Sequence, residues 1–261
     1  MANQESVLVT GGTGLLGSAV VKQLLHAGKH DVRVLSREWH EQLPDCTYVK
    51  GDLVTGLGLT EALRGVSAII HCASNPGNAQ RVDVEGTANL LAAVNDIERL
   101  HIIYISIVGV DKTDYAYYQS KLKAETLIAQ SGHPYSILRT TQFHDFVFGL
   151  LHSVKSTNGE LDLPEGLGFQ PVEVNEVASK LIDILGSKQQ GLLPEFGGPE
   201  VLTLEQLAQD YCRASGKAFN FKSIKPSSER EKMFASKINL IPENAYGKVR
   251  WGTYLKNKLS E

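Results

Sequence analysis

Tyr117 and Lys121 stand four positions apart and are the pair in this chain best suited to chemistry. On a helix that spacing puts both on one face. A lysine ammonium beside a phenol stabilises the phenolate and lowers the tyrosine pKa. Such a tyrosine can pass a proton to or from a substrate oxygen near neutral pH. The spacing alone is a weak signal, and Tyr254 with Lys258 repeats it near the C-terminus, where it reads as a chance copy. Position favours the first pair, which opens the helix expected after a fifth strand.

The elements that must position this pair begin with residues 6–17, Ser-Val-Leu-Val-Thr-Gly-Gly-Thr-Gly-Leu-Leu-Gly. An apolar strand runs into Gly11, Gly14 and Gly17. A helical pattern follows through Leu15, Leu16, Ala19, Val20, Leu24 and Leu25, with Gly28 as its C-cap. Gly11 permits the tight turn, Gly14 lets the backbone approach a pyrophosphate, and Gly17 lets the helix sit close to the strand. Free N–H groups at the helix start face the phosphates, and the helix dipole favours their charge. A dinucleotide is the expected ligand, bound by the turn that holds Gly11, Thr13, Gly14, Leu15, Leu16 and Gly17.

The residues after the second strand select the cofactor. An acidic residue about 20 positions past the glycines would hold the ribose 2′-hydroxyl of NAD. Here Ser36 and Arg37 stand there, and no carboxylate comes before Glu38. Arg37 can pair with a 2′-phosphate through parallel charge-assisted bonds, which favours NADP(H) over NAD(H). The plainer alternative is a loose surface charge. After the third strand, Asp52 is within reach of an adenine amino group and Leu53 can pack on the ring. An Asp turn or cap accounts for the same letters.

Strand patterns at 6–10, 31–36, 47–50, 67–73, 100–106 and 135–139 alternate with helical patterns near 15–27, 57–64, 79–95, 114–131 and 142–154. That alternation predicts an α/β fold, a doubly wound parallel sheet with right-handed crossovers. Beyond about residue 155, Gly, Pro and Asn punctuate the chain, and helices are expected at 175–186, 203–215, 227–237 and 250–258. The reading is a dinucleotide-binding core over 1–155. A small C-terminal substrate lobe over 156–261 is interwoven with it as one structural unit.

The 261 residues carry a net charge of -3, which draws the protein neither to nucleic acid nor to a membrane surface. Cys46, Cys72 and Cys212 are scattered, with no zinc spacing, which favours a reducing compartment. With no leader or spanning segment visible, the cytoplasm is the default expectation. His26 and His30 straddle Gly28 and lack a third ligand, so no metal site is expected. No Gly-x-Ser-x-Gly elbow or phosphate loop ending in Gly-Lys-Ser/Thr is present, which argues against a hydrolase or a nucleoside triphosphatase. The expected partner is a small-molecule substrate. Helices 79–95 and 114–131 could pair two copies, leaving monomer and homodimer both open.

Taken in order, Gly11-x-x-Gly14-x-x-Gly17, Asp52-Leu53, the strand end Ala73-Ser74 and Tyr117-x-x-x-Lys121 resemble the short-chain dehydrogenase/reductase superfamily. Residues 104–110, 137–146, 170–172 and 197–200 resemble its atypical, NmrA-like NAD(P)H-binding members, and the likeness covers nearly the whole chain. The resemblance implies a seven-stranded Rossmann sheet. It places Ala73 and Ser74 beside the adenine ribose, with Cys72 before them a further cofactor-binding candidate, and makes Tyr117 the acid/base, with Lys121 on the ribose. It sets Thr140, Thr141, Gln142 and Phe143 along the nicotinamide. A family serine or threonine just beyond the fifth strand helps hold the substrate carbonyl. Ser106 is the candidate, but Ile107 and Val108 occupy the places where that hydroxyl usually sits. His144 is a further substrate-pocket candidate as an acid or base. A packing or capping role is favoured for it, since histidine in apolar surroundings is commonly structural.

Two classes of function follow. An NADP(H)-dependent reductase of a small carbonyl or quinone is favoured by the Tyr117–Lys121 pair. The alternatives are an NADP(H)-binding redox sensor with little catalysis, favoured by the gap after Ser106, and an enzyme like the nucleotide-sugar epimerases and dehydratases.

Overall fold

Strand β1 (Glu5–Thr10) leaves the sheet at a turn that only glycine can make, since Gly11 has φ 66° and an added Cβ would lie 2.7 Å from the Ala73 backbone. The computed structural model describes residues 5–38, 46–94, 100–154, 156–157, 160–217 and 220–260. The turn leads into α1 (Leu15–Ala27), which buries Leu16, Val20, Val21 and Leu24 and ends at Gly28 with φ 63°. Then come β2 (His30–Ser36), β3 (Thr47–Lys50), α2 (Leu59–Leu63) and β4 (Val66–His71). A π-helical stretch, Gln80–Glu85, runs into α3 (Gly86–Val94), followed by β5 (His101–Ile107), α4 (Ala116–Ala129) and β6 (Tyr135–Thr140).

Among the described residues, seven strands form one sheet in the order Gly191–Leu192, β6, β5, β4, β1, β2, β3. The β1–β2, β1–β4, β2–β3 and β4–β5 pairings are all parallel. The fold is the doubly wound α/β architecture expected from the strand–helix alternation. The order reverses between β1 and β4, and in open parallel sheets the crevice beyond the strand ends at that point is where ligands bind. Strands β1, β4 and β5 are nearly continuous buried runs, as central strands covered on both faces must be. Leu8, Ile69, Ile102 and Tyr104 form a core with Leu63, Leu90 and Ile128 from the helices.

The chain divides into two compact units, each discontinuous in sequence. The first takes in the chain up to Ser106, Ala116–Arg139 and Val174–Pro194. The second takes in Ile107–Tyr115, Thr140–Glu173 and the chain from Glu195. The described residues on either side of the boundary expected at 155, Val154 and Ser156, both belong to the second unit. Helix α5 (His144–His152) belongs to that unit, whereas α6 (Val174–Ser187) belongs to the first. There α6 packs on α1, where Gln23 donates to the Asn175 carbonyl and accepts from the Ser179 hydroxyl, both at 2.9 Å.

In the second unit are α7 (Leu204–Ser215), α8 (Glu229–Ala235) and α9 (Trp251–Lys258). Thr203 caps α7 through a reciprocal capping box with Gln206, as the start expected at 203 requires.

Three local expectations shift. The helix expected over 79–95 is divided into the π-helical stretch and α3, and its last residue lies outside the described residues. The helix expected over 57–64 shortens to α2, because Gly58 takes φ 77° and cannot be a helical residue. Strand β4 stops at His71, so Cys72 and Ala73 belong to the loop beyond it.

Candidate nucleotide-binding and catalytic site

Within the first unit a cavity of about 420 Å³ opens at the β1–β4 crevice. Gly11, Thr13 and Gly14 line one side, and Leu35, Ser36, Arg37 and Glu38 line the end of β2. Gly51–Val54 and Cys72–Asn75 close the rest, with Val82. Of the residues expected to hold a cofactor, Gly11, Thr13, Gly14, Ser36, Arg37, Asp52, Leu53, Cys72, Ala73 and Ser74 therefore meet at one place. Leu35, Glu38, Gly51, Val54, Asn75 and Val82 were not anticipated. The strand ends themselves would have signalled most of them.

The turn has the geometry a pyrophosphate needs. A Cβ on Gly17 would overlap the Gly11 carbonyl oxygen, so only glycine lets α1 pack against the turn. Gly14 is the N-cap of α1 and offers no side-chain cap. The first N–H groups of the helix thus have no intrahelical acceptor and no competing side chain. No acidic residue stands in that first turn to repel an anion. Leu16 and Gly17 are buried behind this surface, and Leu15 is 46% exposed; none of the three lines the cavity.

Along the wall formed by Gly51–Val54, Asp52 Oδ1 accepts from Val54 N–H at 2.9 Å, so Asp52 both shapes its turn and lines the cavity. Asn89 on α3 holds this turn by donating to the carbonyls of Leu53 and Val54. Ser36 accepts from Glu38 N–H and donates to its carbonyl, which sets the backbone that presents Arg37. Arg37 and Glu38 are both exposed on the cavity wall. These residues fit a dinucleotide, with a glycine cradle suited to a pyrophosphate and an exposed cation, Arg37, just beyond β2.

Tyr117 and Lys121 lie in the first turns of α4. The Tyr117 phenol is 2.9 Å from Ser74 Oγ at the cavity wall. Lys121 is 2% exposed and does not line the cavity; its Nζ donates to the Ile105 carbonyl at 2.8 Å. The same ammonium lies 3.7 Å from Asp83 Oδ1 and 4.2 Å from the centre of the Tyr104 ring. Burial lowers the Lys121 pKa, and Asp83 opposes that shift. Asp83 is fully buried in the π-helical stretch, a kind of distortion frequent at functional sites. Its Oδ2 accepts from Asn75 N–H at 3.1 Å.

A second buried chain lies beneath. His71 Nδ1 is 2.6 Å from Thr10 Oγ1, and Nε2 is 2.9 Å from Thr87 Oγ1. Thr87 Oγ1 donates to the Asp83 carbonyl, so it must accept from His71. His71 is then the neutral Nε2–H tautomer, with Thr10 donating to Nδ1. Thr10 in turn accepts from Ala73 N–H. Burial, reinforced by the Lys121 charge, pushes the His71 pKa down to about 3. Burial also pushes the Cys72 thiol up to about 12, against the pull of Lys121, which keeps it protonated and unreactive.

Ser106, at the end of β5, is 1% exposed and its hydroxyl is buried without a hydrogen-bond partner among the described residues. Arg139 on β6 makes a bidentate pair with Glu125 on α4, at 2.9 and 2.7 Å.

Thr140, Thr141, Gln142 and Phe143 belong to the second unit. Thr140, Thr141 and Gln142 are buried. Thr141 Oγ1 accepts from Gly198 N–H, and Gln142 Oε1 accepts from Asn239 at 2.9 Å. Phe143 bridges to Val172. His144 is fully buried in a cluster with Trp251 and Tyr254, whose rings run nearly parallel to it and to each other, and its Nδ1 is 3.6 Å from Glu173. Tyr254, of the second Tyr–Lys pair, is buried and donates to Asp145. Among the described residues no cluster of metal-ligating side chains occurs, and no helix is long and apolar enough to cross a membrane.

A family model described as NAD(P)H-binding matches residues 11–185, which include the glycine turn, the cavity walls and the Tyr117–Lys121 pair. The chain belongs to this NAD(P)H-binding family. Its relatives place it in the atypical short-chain dehydrogenase/reductase set. The chain is 27% identical over 249 residues to a chloroplastic divinyl chlorophyllide a 8-vinyl-reductase from Cucumis sativus, covering 84% of this chain. It spans 59% of that protein's length. It is 25% identical over 240 residues to a (4-alkanoyl-5-oxo-2,5-dihydrofuran-3-yl)methyl phosphate reductase from Streptomyces griseus, covering 88% of this chain and 80% of that one. Among solved structures, a UDP-glucuronic acid 4-epimerase from Bacillus cereus, in complex with UDP-glucuronic acid and NAD, matches with a TM-score of 0.75. That match covers 98% of both chains at 17% identity, so it speaks to the fold alone.

Proposed function

We propose that this protein is an NADP(H)-dependent reductase of a small carbonyl compound or quinone. The observation that carries the reading is the 2.9 Å contact of the Tyr117 phenol with Ser74, a residue of the cavity wall, with Lys121 one turn further along the same helix. The bound cofactor supplies the hydride. Tyr117 gives its phenol proton to the substrate oxygen as negative charge develops there. Lys121, on the same helix face, favours the phenolate that remains. The Asp83 contact, at 3.7 Å, opposes the lowering that burial imposes on the Lys121 pKa. Arg37 supports the choice of NADP(H), since it is an exposed cation at the ribose end of the cavity. The two reductase relatives are consistent with this chemistry.

A second reading, a redox-sensing NADP(H) binder, draws on the gap after Ser106: Ser106 is itself buried, and Ile107 and Val108 stand where the family's hydroxyl usually sits. The test is NADPH consumption with a panel of small carbonyls and quinones, by the wild type and Tyr117→Phe. Turnover that vanishes in Tyr117→Phe with cofactor affinity retained supports the reductase. Absence of turnover, with unequal affinities for the oxidised and reduced cofactor, supports the sensor.

A further inference from the structure

We propose that Ser74 is a positioning residue for Tyr117, supplying from the loop after β4 the hydroxyl that the end of β5, with Ser106 buried, does not present. The catalytic weight of this assignment rests on the reductase reading. Ser106 is buried and its hydroxyl meets no partner among the described residues, and Ile107 and Val108 bring no hydroxyl. Ser74 is exposed, lines the cavity, and places its Oγ 2.9 Å from the Tyr117 oxygen.

The loop that carries Ser74 is fixed on both sides. Before it, Ala73 N–H bonds to Thr10 Oγ1, which is locked by His71, Thr87 and the Asp83 carbonyl. After it, Asn75 N–H bonds to Asp83 Oδ2, whose other oxygen faces the Lys121 ammonium. Asp83 thus ties the loop to α4 one turn from Tyr117. The Ser74 hydroxyl is delivered to the phenol by a rigid frame. A hydroxyl can accept from the phenol and donate to the phenolate, so it serves Tyr117 in both protonation states. A hydrogen bond to the charged form favours that form.

The experiment follows the Tyr117 titration by NMR of the full chain labelled with tyrosine carrying ¹³C at the ring carbon that bears the hydroxyl. Tyr117→Phe assigns the resonance, and Ser74→Ala, Ser74→Thr and Ser106→Ala are compared. Ser74→Ala is expected to raise the Tyr117 pKa by about one unit and to lower kcat roughly tenfold, with the pH profile of kcat displaced in the same direction. Ser74→Thr is expected to restore both. A shift seen in Ser106→Ala but not in Ser74→Ala would overturn the assignment. A wild type that reduces nothing, with the titration shift present, removes the reductase reading and leaves Ser74 as the phenol's partner. A wild type silenced by Tyr117→Phe, with the Tyr117 titration unmoved in Ser74→Ala, keeps the reductase and overturns this inference.

Discussion

Gly17 packs its backbone against the carbonyl of Gly11, so closely that any Cβ at position 17 would overlap the oxygen. The contact joins the first turn of α1 to the end of β1 and holds the turn in the shape that presents helix N–H groups to a phosphate. Gly14 differs, since a Cβ there would sit 3.3 Å from the same oxygen. Gly17→Ala should therefore lower stability by about 1–3 kcal/mol, as overpacking does. Gly14→Ala should cost less stability but weaken cofactor binding by obstructing the phosphate. Urea denaturation and calorimetric titration of the two variants separate these effects. Equal stability and equal affinity for both would show that the turn is neither packed nor used in this way.

His71 imposes a pH dependence on folding. Its pKa falls from an ordinary 6.5 to about 3 in the folded chain, so the unfolded chain binds the extra proton first as pH drops. Stability from this group is complete above pH ~6.5 and is lost progressively down to about pH 3. Between pH 7 and pH 5 the loss is about 2 kcal/mol by linkage. His71→Gln should be less stable at pH 7 yet show a shallower decline over that interval in urea denaturation. An unchanged slope would place a titrating partner elsewhere.

Glu125 and Arg139 test a different part of the frame. Both are buried and joined by two hydrogen bonds, linking α4 to β6. Glu125→Ala takes the bidentate carboxylate away from a buried guanidinium and should cost about 3–5 kcal/mol. A double Glu125→Leu, Arg139→Met replacement should recover most of that loss. Thermal unfolding of the two variants is the check, and equal melting temperatures would contradict it.

Much of this architecture is legible in the sequence where the signal is local. The α1 boundaries follow from apolar spacing and from Gly28, which takes the left-handed conformation that ends the helix. The central strands are legible because burial on both faces demands unbroken apolar runs. The gathering of Gly11, Arg37, Asp52 and Ala73 is legible too, because parallel strand ends converge at one edge. What is hidden depends on contacts distant in sequence. Nothing in the letters around Asp83 marks a wide π-helical turn or a carboxylate aimed at Lys121, 38 residues on. The Ser74–Tyr117 bond spans 43 residues and arises only when β4 and α4 are brought to the same rim. The edge strand Gly191–Leu192 has two residues and no periodicity to read. The strand Glu160–Pro164 is mostly half-exposed and Asn220–Ile224 mostly exposed, and both are equally faint.

The measurement that tests the central claim most directly is calorimetric titration with NADP⁺, NADPH, NAD⁺ and NADH, for the wild type and Arg37→Ala. The account predicts binding of all four at one site. The phosphorylated forms should bind tighter by about tenfold or more, and Arg37→Ala should remove that gap. Tighter binding of NAD⁺ and NADH would assign the ribose end to Glu38 instead. Failure of all four to bind would contradict the account, leaving the glycine turn a feature of folding alone.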